Sequence, residues 1–231
     1  CLSLGYAQPL SDVDLDALAR HGWELVRRPT GGRAILHVDE LTYSVTGPQD
    51  EPRLAGSVLE SYHRLSSALL EALQRLGIAA RAQPSATQPR TANPAETALN
   101  PVCFEVPSNY EITFHGKKLI GSAQARRRGG VLQHGSLPLW GDLRRITQVL
   151  AFPDEAARQQ AADRLLARAA TAQDALGQPL PWIRAAQAMQ DAFQSALNLA
   201  LVPGQPTPDE LSRAGQLLNE KYSLPAWNEK T

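Results

Sequence analysis

Apolar residues recur along this chain at two spacings, and the change of spacing divides it. Between Leu54 and Leu76, the residues Val58, Tyr62, Leu65, Leu69, Leu73 and Leu76 fall three or four positions apart, the period of one buried helix face. Strand-like runs flank this helix. Leu2 to Tyr6, Trp23 to Val26, Arg33 to His37 and Leu41 to Val45 precede it, rich in β-branched and aromatic residues. Ile78 to Arg81 follows as a short strand. Tyr110 to Phe114 and Lys118 to Ala123 then alternate around His115-Gly116, a glycine-bearing pair suited to a hairpin turn, and Val131 to Leu139 adds a further strand. Near the start, Ser11 reads as the N-cap of a short helix through Val13, Leu15, Leu18 and Ala19 that stops at His21-Gly22.

The pattern turns helical after Pro153. Asp154–Ala170, Trp182–Leu201 and Pro208–Tyr222 are separated by loops containing proline or glycine. Strands in the first two thirds and helices in the last third predict an α+β fold: a mixed β-sheet core flanked by helices, with a helical C-terminal part. The organisation expected is one domain over residues 1–150, with residues 151–231 packed on it. One segment fits neither period. Gln83 to Asn100 carries Pro84, Pro89 and Pro94 among Ala, Thr, Ser and Gln, and a loop this long inside a domain is expected to be either functional or mobile.

Composition narrows the class. The chain has 231 residues, 43% hydrophobic, with 23 basic against 23 acidic side chains. That balance argues against a general nucleic-acid binder. No apolar run approaches a membrane span, and no basic-then-apolar leader opens the chain, so a cytoplasmic protein without membrane contact is expected. The two cysteines, Cys1 and Cys103, make neither a disulfide framework nor a zinc site, and no HExxH or similar pair of metal ligands occurs. The opening on Cys1, without methionine and already strand-like, reads as a chain lacking its true N-terminus.

Charge is uneven despite the overall balance. His115 to Gly141 contains no acidic residue but holds Lys117, Lys118, Arg126, Arg127 and Arg128. These could protect a sheet edge, or dock an acidic partner. On a regular strand Lys118 shares a face with Ile120 and Ser122, opposite Leu119, Gly121 and Ala123. Cys103, in Pro101-Val102-Cys103-Phe104, sits where the proline-rich loop rejoins the sheet. A lone cysteine among apolar neighbours is most often a core residue, whereas at such a junction it can also be exposed and rigidly held. A lysine beside it would hold its thiol below the ordinary value and could steady an acyl oxyanion. His37 and His134 read as satisfied buried histidines, and His37, ahead of Asp39-Glu40, could also be an ordinary polar loop residue. Thr30-Gly31-Gly32 could cradle a phosphate or leave space for an alkyl chain, and no Gly-Lys-Ser/Thr follows it.

Three blocks together resemble the lipoate-protein ligase and octanoyltransferase family. They are Arg27-Arg28-Pro29-Thr30-Gly31-Gly32-Arg33-Ala34-Ile35-Leu36-His37 with Glu40-Leu41-Thr42-Tyr43-Ser44, then Gly116-Lys117-Lys118-Leu119-Ile120-Gly121-Ser122-Ala123-Gln124, then Leu132-Gln133-His134-Gly135-Ser136-Leu137. A fainter echo of the family's C-terminal helix is Leu217-Leu218-Asn219-Glu220-Lys221-Tyr222 with Trp227. Arg33 stands where ATP-dependent ligases usually have a third glycine. Cys103-Phe104-Glu105 and Ser108-Asn109-Tyr110-Glu111 are similar to the cysteine-dependent octanoyltransferase branch. Val38 departs from the acidic residue that many members have there.

The resemblance implies a biotin/lipoate-ligase-like fold and an acyltransferase. Cys103 would be the nucleophile and Lys118 its partner. Arg28, Thr30, Gly31, Gly32, His37, Gly121, Ser122, Ala123 and His134 would line the acyl site, and Lys117, Arg126, Arg127 and Arg128 would dock carriers. The donor implied is octanoyl acyl carrier protein, and the acceptor is a lipoyl-carrier protein such as the glycine cleavage H protein. No cofactor is required, and no metal. The alternatives are an ATP-dependent lipoate ligase, which would use ATP and Mg, an amidotransferase between carrier domains, and a non-catalytic acyl- or carrier-binding homologue.

Overall fold

A computed structural model of the chain describes residues 1–84 and 110–229. Cys103, the Pro101–Phe104 run and the proline-rich segment beyond Pro84 lie outside the described residues.

Two sheets form. In the smaller, β1 (Leu2–Leu4) runs parallel to β2 (Leu25–Arg27) and antiparallel to β3 (Ile35–Leu36), in the order β2-β1-β3. The larger sheet is antiparallel with the order β4-β8-β7-β6-β5, built from β4 (Glu40–Pro48), β5 (Arg81–Pro84), β6 (Tyr110–Phe114), β7 (Lys117–Arg127) and β8 (Gly130–Pro138). Its two tight hairpins have one cause. His115 and Gly116 take φ of 48° and 79°, and Arg128 and Gly129 take 50° and 78°. Positive φ at both central residues gives the turn whose twist matches that of the strands it joins.

The helices are α1 (Leu15–Arg20), α2 (Val58–Arg75), α3 (Glu155–Arg168), α4 (Ala172–Leu176), α5 (Trp182–Leu197), α6 (Pro208–Leu217) and α7 (Pro225–Asn228). Helix α2 begins at a capping box. Ser57 accepts from the Glu60 amide, and Glu60 accepts from the Ser57 amide, so two otherwise unsatisfied donors are paired.

One face of the large sheet packs on α2 and α5. Leu65, Leu69 and Leu73 of α2 meet Ala185, Met189 and Phe193 of α5 and Leu41, Ile112, Ile120 and Leu137 of the sheet. Each fully buried leucine here contributes about 1.5–3 kcal/mol relative to exposure. A second core lies under the small sheet, where Leu2, Leu4 and Leu36 meet Leu18 of α1, Leu165 of α3 and Val149-Leu150. The mixed sheets and helical C-terminal part agree with the α+β expectation.

Several boundaries differ from the sequence pattern, each for a local reason. The first helix is capped by Asp14, which accepts from the Ala17 amide, and not by Ser11. Residues 10–12 form a separate 3-10 turn, and Val13 bridges to Leu150. Strand β2 starts at Leu25, two residues after Trp23, whose ring stacks on His21. The long helix starts at Val58, so Leu54 belongs to the preceding turn, and Val58 itself is 51% exposed at the first turn. β5 overlaps the expected Ile78–Arg81 strand only at Arg81.

Candidate active site

A cavity of about 460 Å³ lies against the other face of the large sheet, under the loop that follows β2. Its floor follows from strand register. Gly121, Ser136 and Thr42 are paired across β7, β8 and β4, and Ala123, His134 and Ser44 form the next row on the same face. The small residues of β7 leave the space that the cavity occupies.

Lys118 enters this cavity because the β6–β7 ladder is irregular. Thr113 pairs with Lys118 but Ile112 pairs with Ile120, so Leu119 is an extra residue. A bulge of this kind re-aims side chains. The parity of β7 therefore reverses at Leu119. Lys118 lines the cavity with Gly121 and Ala123, while Leu119 and Ile120 enter the core. This corrects the face assignment made by simple alternation, which grouped Lys118 with Ile120 and Ser122. The Ser122 hydroxyl lies on the helix side, 2.7 Å from the Tyr43 hydroxyl, although the residue also borders the cavity.

Lys118 is buried, and its Nζ lies 3.1 Å from Oε1 of Glu111. The basic stretch is therefore not without compensation. Glu111, on the neighbouring strand, partners one of its five cations. Glu111 was not among the expected site residues, although it lies on the face of Thr113, two positions away, and alternation could have found it.

The opposite wall is the loop from Arg28 to Arg33. The Arg28 guanidinium holds it, donating to the Gly31 and Arg33 carbonyls at 2.9 and 2.7 Å and to the Ser3 carbonyl and hydroxyl at 3.0 and 3.1 Å. Gly32 takes φ of 94°, and a side chain on Gly5 would strike the Gly32 backbone, so β1 and this loop close tightly on each other. Arg28, Gly31, Gly32 and His37 all line the cavity. Thr30 does not. It is buried behind His134, its Oγ1 2.6 Å from His134 Nε2.

The two histidines are held differently. His37 sits between the Ser3 hydroxyl, 2.7 Å from Nε2, and Glu40, 2.5 Å from Nδ1. Ser3 and Glu40 thus fix the ring, an arrangement the sequence did not single out. His134 has its pKa lowered to about 4, first by burial and then by the nearby charges of Arg28 and His37. It is neutral at physiological pH.

The cations expected to dock a partner divide. Arg126 turns inward, donating to the Leu54 and Ser57 carbonyls and to the Ser61 hydroxyl at the start of α2. It anchors a helix to the sheet, which differs from the docking role expected of it. Lys117 Nζ donates to the Leu166 carbonyl of α3 at 2.7 Å. Arg127 and Arg128 are exposed at the β7–β8 turn, Arg127 over the Tyr6 ring, 4.9 Å from its centroid. Among the described residues, no group of three or more His, Cys, Asp or Glu side chains is placed to hold a metal ion, and no helix is long and apolar enough to cross a membrane.

Comparison with known proteins places this geometry. Residues 1–194 match the model of the lipoyl protein ligase A/B catalytic domain. The chain belongs to this family. It is 41% identical to octanoyltransferase LipM of Kyrpidia tusciae over 230 residues, covering 98% of this chain and 82% of that one. It is 34% identical to octanoyltransferase LipM of Bacillus subtilis over 233 residues, covering 99% and 82%. Among solved structures, the bi-partite lipoate protein ligase of Thermoplasma acidophilum, described with its E2 lipoyl domain, superposes with a TM-score of 0.80 at 26% identity, over 99% of this chain and 79% of that one. A lipoate-protein ligase A bound with ATP gives 0.76 at 26%, over 99% and 81%. The chain is accordingly an acyltransferase of this family.

Proposed function

We propose that the protein is an octanoyltransferase of lipoate assembly. It takes an octanoyl group from acyl carrier protein and passes it to a lysine of a lipoyl-carrier protein, such as the glycine cleavage H protein, in the cytoplasm. The observation that carries this reading is Lys118, buried beside Glu111 and turned by the bulge into a cavity floored by Gly121 and Ala123.

In the proposed mechanism, the thiolate of Cys103 attacks the carbonyl carbon of the octanoyl thioester. The carrier sulfur leaves as a thiolate and takes up a proton. The Lys118 ammonium faces the oxyanion of the tetrahedral intermediate, where a fixed positive charge lowers the barrier most. The neutral amine of the acceptor lysine then attacks octanoyl-Cys103. An amide bond forms, the Cys103 thiolate departs, and the amine proton is released. Dividing the transfer through a covalent thioester is nucleophilic catalysis, and the first exchange needs no ATP because one thioester replaces another.

Intact-mass measurement after mixing with octanoyl-carrier tests this. The expected result is a transient octanoyl adduct that is absent in Cys103→Ser, with transfer independent of ATP. Full activity of Cys103→Ser would overturn the cysteine route. The fold likeness to a lipoate-protein ligase A bound with ATP supports a second reading, an ATP-dependent ligase. That reading requires lipoate-dependent pyrophosphate release and indifference to loss of Cys103.

A further inference from the structure

Three hydroxyls around the cavity are paired with side chains. Ser3 Oγ lies 2.7 Å from His37 Nε2, Thr30 Oγ1 lies 2.6 Å from His134 Nε2, and Ser122 Oγ lies 2.7 Å from the Tyr43 hydroxyl. Ser136 differs. It is 1% exposed, and among the described residues its Oγ, out of reach of water, has no hydrogen-bond partner. Leaving a buried hydroxyl unpaired is unfavourable, so folded proteins retain few such groups. Strand register puts this one on the cavity face. Ser136 lines the cavity and pairs with Gly121 on one side and Thr42 on the other, whereas its neighbour Leu137 enters the core beneath the helices. Gly121 has no side chain, so β7 offers the hydroxyl neither a cover nor a partner at that row.

Lys118 stands close by. The bulge makes Lys118 to Gly121 two ladder steps, about 6.6 Å, and Ser136 lies one strand spacing, about 4.8 Å, to the side. Their α-carbons are thus about 8 Å apart, with both side chains on the cavity face. One oxygen atom above Gly121 can therefore meet the ammonium and the hydroxyl together. An acyl chain brings a single hydrogen-bond acceptor into such a site, its carbonyl oxygen, and the rest of it is hydrocarbon. Under the transfer reading above, on which this inference rests, that carbonyl reacts beside Lys118.

We propose that Ser136 is a catalytic residue whose hydroxyl donates a hydrogen bond to the acyl carbonyl oxygen, beside the Lys118 ammonium. As a thiolate adds to the carbonyl carbon, the π pair moves onto that oxygen and the bond from Ser136 strengthens, because the acceptor becomes an anion. When the tetrahedral intermediate collapses, the pair returns to re-form the carbonyl and the sulfur departs. Attack by the acceptor amine on the acyl-enzyme puts charge on the same oxygen, so one hydroxyl serves both steps. Ser136 keeps its proton throughout. A donor with no prior partner has no bond to break before it meets the oxyanion, which is the advantage of a preorganised site.

The test compares the wild type with Ser136→Ala and Ser136→Thr, using octanoyl acyl carrier protein as donor and an apo H protein as acceptor. Ser136→Ala should lower kcat about a hundredfold and change the donor KM by about threefold or less. Its melting temperature should stay level or rise, since an unpaired buried hydroxyl is removed. Ser136→Thr keeps the hydroxyl, Gly121 leaves room for the added methyl, and most of kcat should return. Octanamide, isotope-labelled at its carbonyl carbon, is a second probe that needs no transfer. Ser136→Ala should bind it about fivefold more weakly and raise its carbonyl stretching frequency. A wild type that binds octanamide but transfers nothing from the carrier overturns the function proposed above, and the octanamide band then decides Ser136. An unchanged kcat, or an unchanged octanamide band, in folded Ser136→Ala overturns the proposal, the hydroxyl being then served by ordered water only. A melting temperature lowered by several degrees, with kcat not recovered in Ser136→Thr, also overturns it and assigns Ser136 to packing.

Discussion

The Lys118 ammonium lies 3.1 Å from the Glu111 carboxylate, across the ladder that joins β6 and β7. Both groups are largely out of water, so removing one partner weakens the compensation of the other's charge. Glu111→Gln should lower kcat at least tenfold and reduce stability, with Glu111→Asp recovering part of both. Steady-state transfer kinetics and thermal unfolding check this together. An unchanged kcat in folded Glu111→Gln would show that the carboxylate does not position Lys118.

His134 predicts an acid-labile fold. Its folded pKa, about 4, lies below the ordinary value of 6.5, so the unfolded chain binds the proton more readily. Stability is then highest above pH 6.5 and declines as pH falls from 6.5 towards 4. Urea midpoints across that range should show the slope, and His134→Gln should flatten it.

The neighbouring arginines of β7 should separate cleanly. Arg126→Ala deletes bonds to the Leu54 and Ser57 carbonyls and to the Ser61 hydroxyl, and should lower the melting temperature by several degrees. Arg127→Ala with Arg128→Ala should change stability by little, since both are exposed. If these two dock a carrier, the double variant raises KM for the protein substrate, with an effect that fades in high salt. Melting curves and salt-dependent KM values distinguish the roles.

Gly135 tolerates no side chain. A Cβ there would lie 2.6 Å from Ser122 Oγ and 2.7 Å from the Tyr43 ring, and would press on the Gly121 carbonyl. Gly135→Ala should destabilise by about 1–3 kcal/mol and pull Gly121 out of the cavity floor. Denaturant titration and octanoate binding should both register it.

Much of this was legible in the chain. His115-Gly116 announced its hairpin because two residues of positive φ admit few alternatives. Leu65, Leu69 and Leu73 announced their helix face because a long amphipathic period has little else to mean. Lys118 was recognisable by its residue run, but the face it occupies was not. Counting by twos fails at a bulge, and Leu119 reads as an ordinary strand residue until its pairing with β6 is known. Glu111, Ser3 and Glu40 were illegible for a related reason: a polar residue declares its partner only when the partner's strand is in place. Arg126 looked like its two neighbours, and only the start of α2 separates them. Cys103, on which the proposed covalent chemistry rests, lies outside the described residues.

The loop that walls the cavity is also fastened from far away. The Trp227 indole donates to the Arg27 carbonyl at 2.8 Å, and the Asn228 side chain accepts from the Arg27 amide at 2.9 Å, across 200 and 201 residues of sequence. Arg27 in turn donates to the Gly5, Tyr6 and Gln8 carbonyls, at the margin of the same cavity. On the ribosome, β1 and β2 emerge long before their fastening does. Contacts of such sequence separation are formed late and at a high entropic cost. The nascent chain therefore carries the wall of this cavity unsecured until α7 has left the exit tunnel.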